Sequence, residues 1–124
     1  MTITPVLIVE EIEKSLPFWV DRMGFAKTAE VPEGDRLGFV MLARDGAILM
    51  LQTVASVFKD EPIFAPKGES RVASIFIQMD DWDDTRRRLE GYPIAMPERK
   101  TFYGMREIGV WEPSGHIVVF AVRE

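Results

Sequence analysis

Cysteine is absent from this chain, and histidine occurs once, at position 116. The first absence excludes disulfides, thiolate catalysis and any zinc or iron–sulfur site built on cysteine. The second excludes a centre that takes two imidazoles from one chain. Long apolar runs are missing as well. The longest, such as Pro5–Val9 and Gly46–Leu51, fall far short of the ~20 residues that span a bilayer, so no transmembrane helix is expected. Positive charge is in the minority, with 15 Lys and Arg against 20 Asp and Glu and a net charge of −5. That balance argues against a nucleic-acid partner, because phosphate binding needs a basic surface. The stretch Met1-Thr2-Ile3-Thr4-Pro5 lacks the basic region and apolar core of a secretory leader, so a cytoplasmic location is expected.

What is present is a globular composition, 47% hydrophobic over 124 residues, the length of one domain. The one basic cluster, Arg86-Arg87-Arg88, follows Asp80-Asp81-Trp82-Asp83-Asp84 and reads as a helix with an acidic start and a basic end, matching its dipole. Internal repetition says more. A shift of 70 residues lays Val9–Ser15 on Met79–Thr85, each an apolar strand end, two acids, an apolar anchor and a polar helix entry. A shift of 69 lays Asp45–Leu51 on Ser114–Phe120, each a glycine turn entering an apolar strand. A single domain spanning 1–124 is therefore expected to hold two copies of one unit, about 2–52 and 71–122, joined by a linker over 53–70.

Each copy reads as strand, helix, then three strands. In the first, Thr4–Val9 is a strand, and Ser15 caps a helix that Gly24 ends, with Ile12, Leu16, Trp19, Val20 and Met23 as its apolar stripe. Strands Phe25–Val31, Arg36–Ala43 and Gly46–Thr53 follow, the last two joined by the hairpin signal Arg44-Asp45-Gly46. The second copy gives strand Val72–Met79, helix Trp82–Glu90, a short strand at Ile94–Met96, strand Gly104–Trp111, the turn Glu112-Pro113-Ser114-Gly115 and strand His116–Val122. Several strands are apolar at both parities, as in Ile48/Met50 with Leu49/Leu51 and Ile117/Val119 with Val118/Phe120. Both faces must then be covered. Two helices cover one, so the other lines a cavity or meets a second subunit, and a homodimer is expected. Val57, Phe58, Ile63, Phe64 and Pro66 make the linker a lid or dimer element.

The βαβββ unit repeated twice, with Ile12-Glu13-Lys14-Ser15-Leu16-Pro17-Phe18-Trp19 running into Arg22-Met23-Gly24-Phe25, resembles the vicinal oxygen chelate superfamily of glyoxalases, extradiol dioxygenases and bleomycin-resistance proteins. The segment Tyr103-Gly104-Met105-Arg106-Glu107 through Trp111-Glu112-Pro113-Ser114-Gly115-His116 looks like that superfamily's closing hairpin. The resemblance implies an α+β fold, two βαβββ repeats in a curved mixed sheet with helices outside and a concave cavity. It also implies metal ligands on the first and fourth strands of each copy, which here carry Thr4, Met50, Ser74 and Val119. None supplies the imidazole or carboxylate that a divalent transition metal wants. Gln52, on the same face as Met50, is a further candidate. No metal or other cofactor is therefore expected.

The reading is a metal-free small-molecule binder of the bleomycin-resistance type, sequestering an antibiotic or metabolite. The alternative is a lyase, isomerase or dioxygenase whose metal is held by unmapped groups. The expected ligand-binding residues are Phe39, Met50, Gln52, Phe76, Gln78, Tyr103, Glu107, Trp111 and Val119. Glu107, aligned by the repeat with Gly38, is the one catalytic candidate, as a base or as the carboxylate for a cationic aromatic guest, with a salt bridge to Arg106 or Arg36 as its competing role. His116 is assigned to the surface or the turn, and Trp19 and Trp82 to helix-on-sheet packing.

Overall fold

In a computed structural model, which describes residues 1–64 and 72–124, the chain divides into two compact units that meet in sequence at residues 71 and 72. The first holds strands β1 (Val6–Val9), β2 (Ala26–Glu33), β3 (Arg36–Arg44) and β4 (Ala47–Thr53), ordered β1-β4-β3-β2. The second holds β5 (Ser74–Gln78), β6 (Met96–Lys100), β7 (Met105–Trp111) and β8 (Ile117–Arg123), ordered β5-β8-β7-β6. Each copy of the repeat thus forms its own four-stranded mixed sheet, the first strand parallel to the fourth and the remaining pairs antiparallel. Among the described residues no helix is long and apolar enough to cross a membrane.

The ladders carry the repeat in their register. The shift of 70 takes Val6 to Phe76 and the shift of 69 takes Met50 to Val119; Val6 faces Met50 and Phe76 faces Val119. At β3 and β7 the correspondence slips by one more residue. Gln52 pairs with Phe39, and its counterpart Ala121 pairs with Glu107, so Glu107 corresponds to Phe39 and not to Gly38. A slip of one residue in a strand changes the face. Gly38 is buried on the opposite side, where a Cβ would meet Glu33 Cβ at 2.8 Å.

In the first sheet Leu7, Val9, Val40, Leu42, Leu49 and Leu51 form the buried face. The helix expected from Ser15 is a shorter π-helical turn, Pro17–Arg22, with Leu16 at its N-cap and no side-chain cap. Pro17 supplies no N–H, and the Phe18 carbonyl accepts from Met23 N–H at 2.9 Å, five residues on. The Ser15 backbone donates to Ile12 O and accepts from Trp19 N–H. The β3–β4 hairpin is as expected, with Asp45 at φ 49° and Gly46 at φ 82°, the two positive angles of a type I′ turn.

The linker contains a helix that the sequence reading did not assign. Thr53 ends β4 and also caps α1 (Val54–Asp60), its hydroxyl accepting from Ser56 N–H at 3.1 Å, and a 3₁₀ turn follows at Pro62–Phe64. Phe58, Ile63 and Phe64 are exposed, Val57 is buried, and Pro66 lies outside the described residues. In the second unit α2 (Trp82–Arg88) places Asp83 and Asp84 in its first turn and the three arginines in its last, where the helix dipole favours each sign. Asp81 caps it by accepting from Asp84 N–H at 2.9 Å. The short strand expected at 94–96 begins only at Met96 and runs on to Lys100, with Ala95 N–H bonding to Gly109 O just before it.

Candidate functional site

Strand register sorts the candidate residues by face. On the less buried face of the first sheet, Val6, Met50, Met41 and Ala29 form one cross-strand row, and Ile8, Gln52, Phe39 and Val31 the next. Phe39, Met50 and Gln52 therefore do share a surface. It is mostly apolar, and Gln52 is tied into it, its Nε2 donating to Ser56 Oγ at 3.1 Å.

On the matching face of the second sheet the rows are Ser74, Ile117 and Trp111; then Phe76, Val119, Gly109 and Met96; then Gln78, Ala121, Glu107 and Arg99. Phe76, Gln78, Glu107, Trp111 and Val119 thus lie on one surface. Phe76 and Trp111 are large apolar groups left 52% and 50% exposed on it. Gly109 is required by packing, since a Cβ there would meet Met96 Cβ at 2.9 Å.

Glu107 is only 1% exposed, and a buried carboxylate needs partners for its lone pairs. It has them on both oxygens. Oε2 accepts from Arg99 Nε and Nη2 at 3.2 and 3.0 Å, and Oε1 accepts from the Tyr103 hydroxyl. Tyr103 belongs to the loop between β6 and β7, which Thr101 closes by bonding to Met105 through both backbone and side chain. The expected partners of Glu107 are corrected. Arg106 lies at the other parity of β7 and pairs with Glu98 and Glu124, and Arg36 lies 3.9 Å from Glu11. With both oxygens engaged, Glu107 is not the open carboxylate that a cationic guest would meet.

Hydrogen bonding to Glu107 pushes the Tyr103 hydroxyl above the ordinary tyrosine pKa, and desolvation and the carboxylate's charge push the same way. The Arg99 guanidinium is likewise raised, first by its hydrogen bond to Glu107, against an opposing desolvation. A folded pKa above the unfolded value means that the Tyr103 contribution to stability is present below about pH 10 and lost as pH rises through the folded value. Titration of tyrosinate absorbance, with Tyr103→Phe assigning the signal, is expected to show Tyr103 ionising late. Glu107→Gln should bring it back toward the ordinary value; an unchanged titration would mean that the contact is not made in solution.

The four positions implied as metal ligands do not fit a metal. Thr4 precedes β1, Met50 and Val119 stand in apolar rows, and Ser74 faces Ile117. Among the described residues no three His, Asp or Glu side chains gather at one point. His116 is in the turn as expected but is buried, its Nδ1 accepting from Ala73 N–H at 3.0 Å. Trp82 is buried and donates to Glu98 at 3.3 Å. Arg99, Met41 and Met96 are among the face residues that the sequence does not single out. Arg99 sits in Glu98-Arg99-Lys100, which reads as solvated charge until the register of β6 is known.

The family model described as Glyoxalase/Bleomycin resistance protein/Dioxygenase superfamily matches residues 3–120. No curated protein matches in sequence. Similar solved structures include TioX from Micromonospora sp. ML1, at 18% identity and TM-score 0.79, covering 100% of this chain and 99% of that one. Lactoylglutathione lyase from Agrobacterium tumefaciens matches at 16% and 0.76, over 98% and 92% of the two chains. A glyoxalase/bleomycin resistance protein/dioxygenase from Nocardioides matches at 19% and 0.75, over 99% and 83%. At such identities the likeness concerns the fold, which hosts several chemistries.

Proposed function

Since the chain belongs to the Glyoxalase/Bleomycin resistance protein/Dioxygenase superfamily, we propose that it is a small-molecule-binding member that works without a metal, taking an aromatic guest on the open face of β5–β8. The observation that carries this reading is the composition of that face. Phe76 and Trp111 offer half-exposed ring surface beside Val119 and Met96, while Ser74 and Val119 stand where the resemblance puts metal ligands. Apolar walls with a few placed polar groups are what a small-molecule site needs. A homodimer belongs to the same proposal, supported by exposed apolar residues on both sheets, Val6, Val31 and Ile48 on the first and Phe76 and Trp111 on the second.

The test uses protein stripped with a chelator and titrated with naphthamide, a neutral aromatic probe. Saturable quenching of Trp111 fluorescence is expected, unchanged on adding Zn²⁺ or Ni²⁺, with no rise in melting temperature from either ion. Light scattering on the same sample should give twice the 14.2 kDa chain mass. Binding that appears only with metal restored, or about one ion per chain surviving purification, would restore the lyase, isomerase or dioxygenase alternative.

A further inference from the structure

Glu107, Arg99 and Tyr103 form a polar group on this surface in which Arg99 and Tyr103 are each hydrogen-bonded to Glu107. Their exposures differ sharply: Glu107 is 1% exposed, whereas the Arg99 side chain is 56% exposed. The carboxylate is the inner pole and the guanidinium the outer one. Arg99 uses Nε and Nη2 on Glu107 Oε2, and Nη1 takes no part in that pairing. A guanidinium held in this way is oriented before any guest arrives, and its planar fork suits an oxyanion. The other charged residue that the register places at this parity is Arg123, opposite Met105. The face therefore carries two cations and one covered anion, within a chain of net charge −5.

We infer that Arg99 receives the oxyanion of the guest, so that the molecule taken by this face is an aromatic acid, a carboxylate or its equivalent on a flat ring, and not an aromatic cation. This rests on the binding reading above and adds the charge and orientation of the guest. The ring would lie on the row of Phe76, Val119 and Met96. Alternate residues along a strand stand about 6.7 Å apart, so the acid group falls on the next row, where Arg99 pairs with Glu107. Glu107 and Tyr103 act as positioning residues. They hold the guanidinium and also moderate its charge.

Calorimetric titration with three probes that share one ring system, naphthoate, naphthamide and naphthylmethylammonium, separates the possibilities. Naphthoate is expected to bind about tenfold tighter than the ammonium probe, the size of one charge-assisted hydrogen bond. Arg99→Gln should erase that preference while leaving naphthamide affinity within about twofold, since the apolar row is untouched. Glu107→Gln should tighten naphthoate by a few-fold, as the compensating charge is gone, and leave naphthamide unchanged. That result also serves if Arg99→Gln fails to fold, which circular dichroism would report. Equal affinity for the three probes would overturn the inference and leave the binding reading standing, as would a preference that survives Arg99→Gln or a Glu107→Gln protein that binds naphthoate more weakly. If none of the three binds, both are overturned.

Discussion

Replacing Trp19 by alanine is expected to lower the unfolding free energy by about 3–5 kcal/mol, the usual cost of deleting a fully buried large aromatic side chain. Trp19 is 0% exposed and meets Phe18 and Phe25 edge-on, with ring centroids 5.0 and 5.2 Å away. Ile12 and Met23, which flank it in sequence, are also fully buried. The side chain stands on a six-residue π-helical turn that has no side-chain cap. So short a helix gains little from its own hydrogen bonds and depends on packing, and the deleted indole takes with it the reason for the turn to form. Since a domain of this kind is stable by about 5–15 kcal/mol, the loss is a large share of the whole. Urea unfolding should show the midpoint fall with an unchanged slope. Trp111→Ala provides the contrast. That ring is half exposed, and its loss should cost less than about 1 kcal/mol. Equal destabilisation by the two substitutions would refute this account of the core.

Trp19 was legible in the sequence because its apolar neighbours recur at helical spacing, even though the helix they predict is shorter and wider than expected. The strands were legible for a similar reason: apolar runs bounded by the turns Asp45-Gly46 and Glu112–Gly115 mark where β3, β4, β7 and β8 end and begin, though not their register. The helix α1 was not, because Thr53 serves two elements at once, ending an apolar strand and capping the next helix. Taken only as a strand end, Thr53 leaves the residues after it looking like linker.

The site was less legible, and the reason is parity. The offset of 69 holds at β4 and β8, but β3 and β7 are offset by one residue less. The offset of 69 pairs Glu107 with Gly38, a residue on the buried face. Hydrogen-bonded ladders, not the apolar pattern, set the equivalence with Phe39. Arg99 was hidden behind the same difficulty, since the bulge between Met96 and Arg99 shifts the parity of β6. A charged run broken by a bulge looks the same from either face until the partner strand is known.

Replacing Glu112 by alanine is expected to cost about 2–3 kcal/mol, out of proportion to a residue in a turn. Glu112 is 1% exposed, and its Oε1 accepts from the backbone N–H of both Ser114 and His116. The turn is closed again by its backbone, Glu112 N–H to His116 O and Gly115 N–H to Glu112 O, each at 2.9 Å. Alanine keeps those two bonds and removes the carboxylate acceptor from Ser114 and His116 N–H, and losing hydrogen bonding to a charged group costs about 1.5–3 kcal/mol. The effect reaches beyond the turn through His116. Its ring accepts from Ala73 N–H, just before β5, so Nδ1 is the acceptor and the neutral ring carries its proton on Nε2. One carboxylate therefore sets the backbone of a residue whose side chain anchors the edge strand that carries Phe76. Glu112→Gln retains an amide oxygen of similar reach and should lose only part of the stability. The double variant Glu112→Ala with His116→Ala should lose less than the sum of the singles, because the anchor is already loosened when its backbone support goes. Additive losses in thermal or urea unfolding would show that the turn and the β5 anchor act independently.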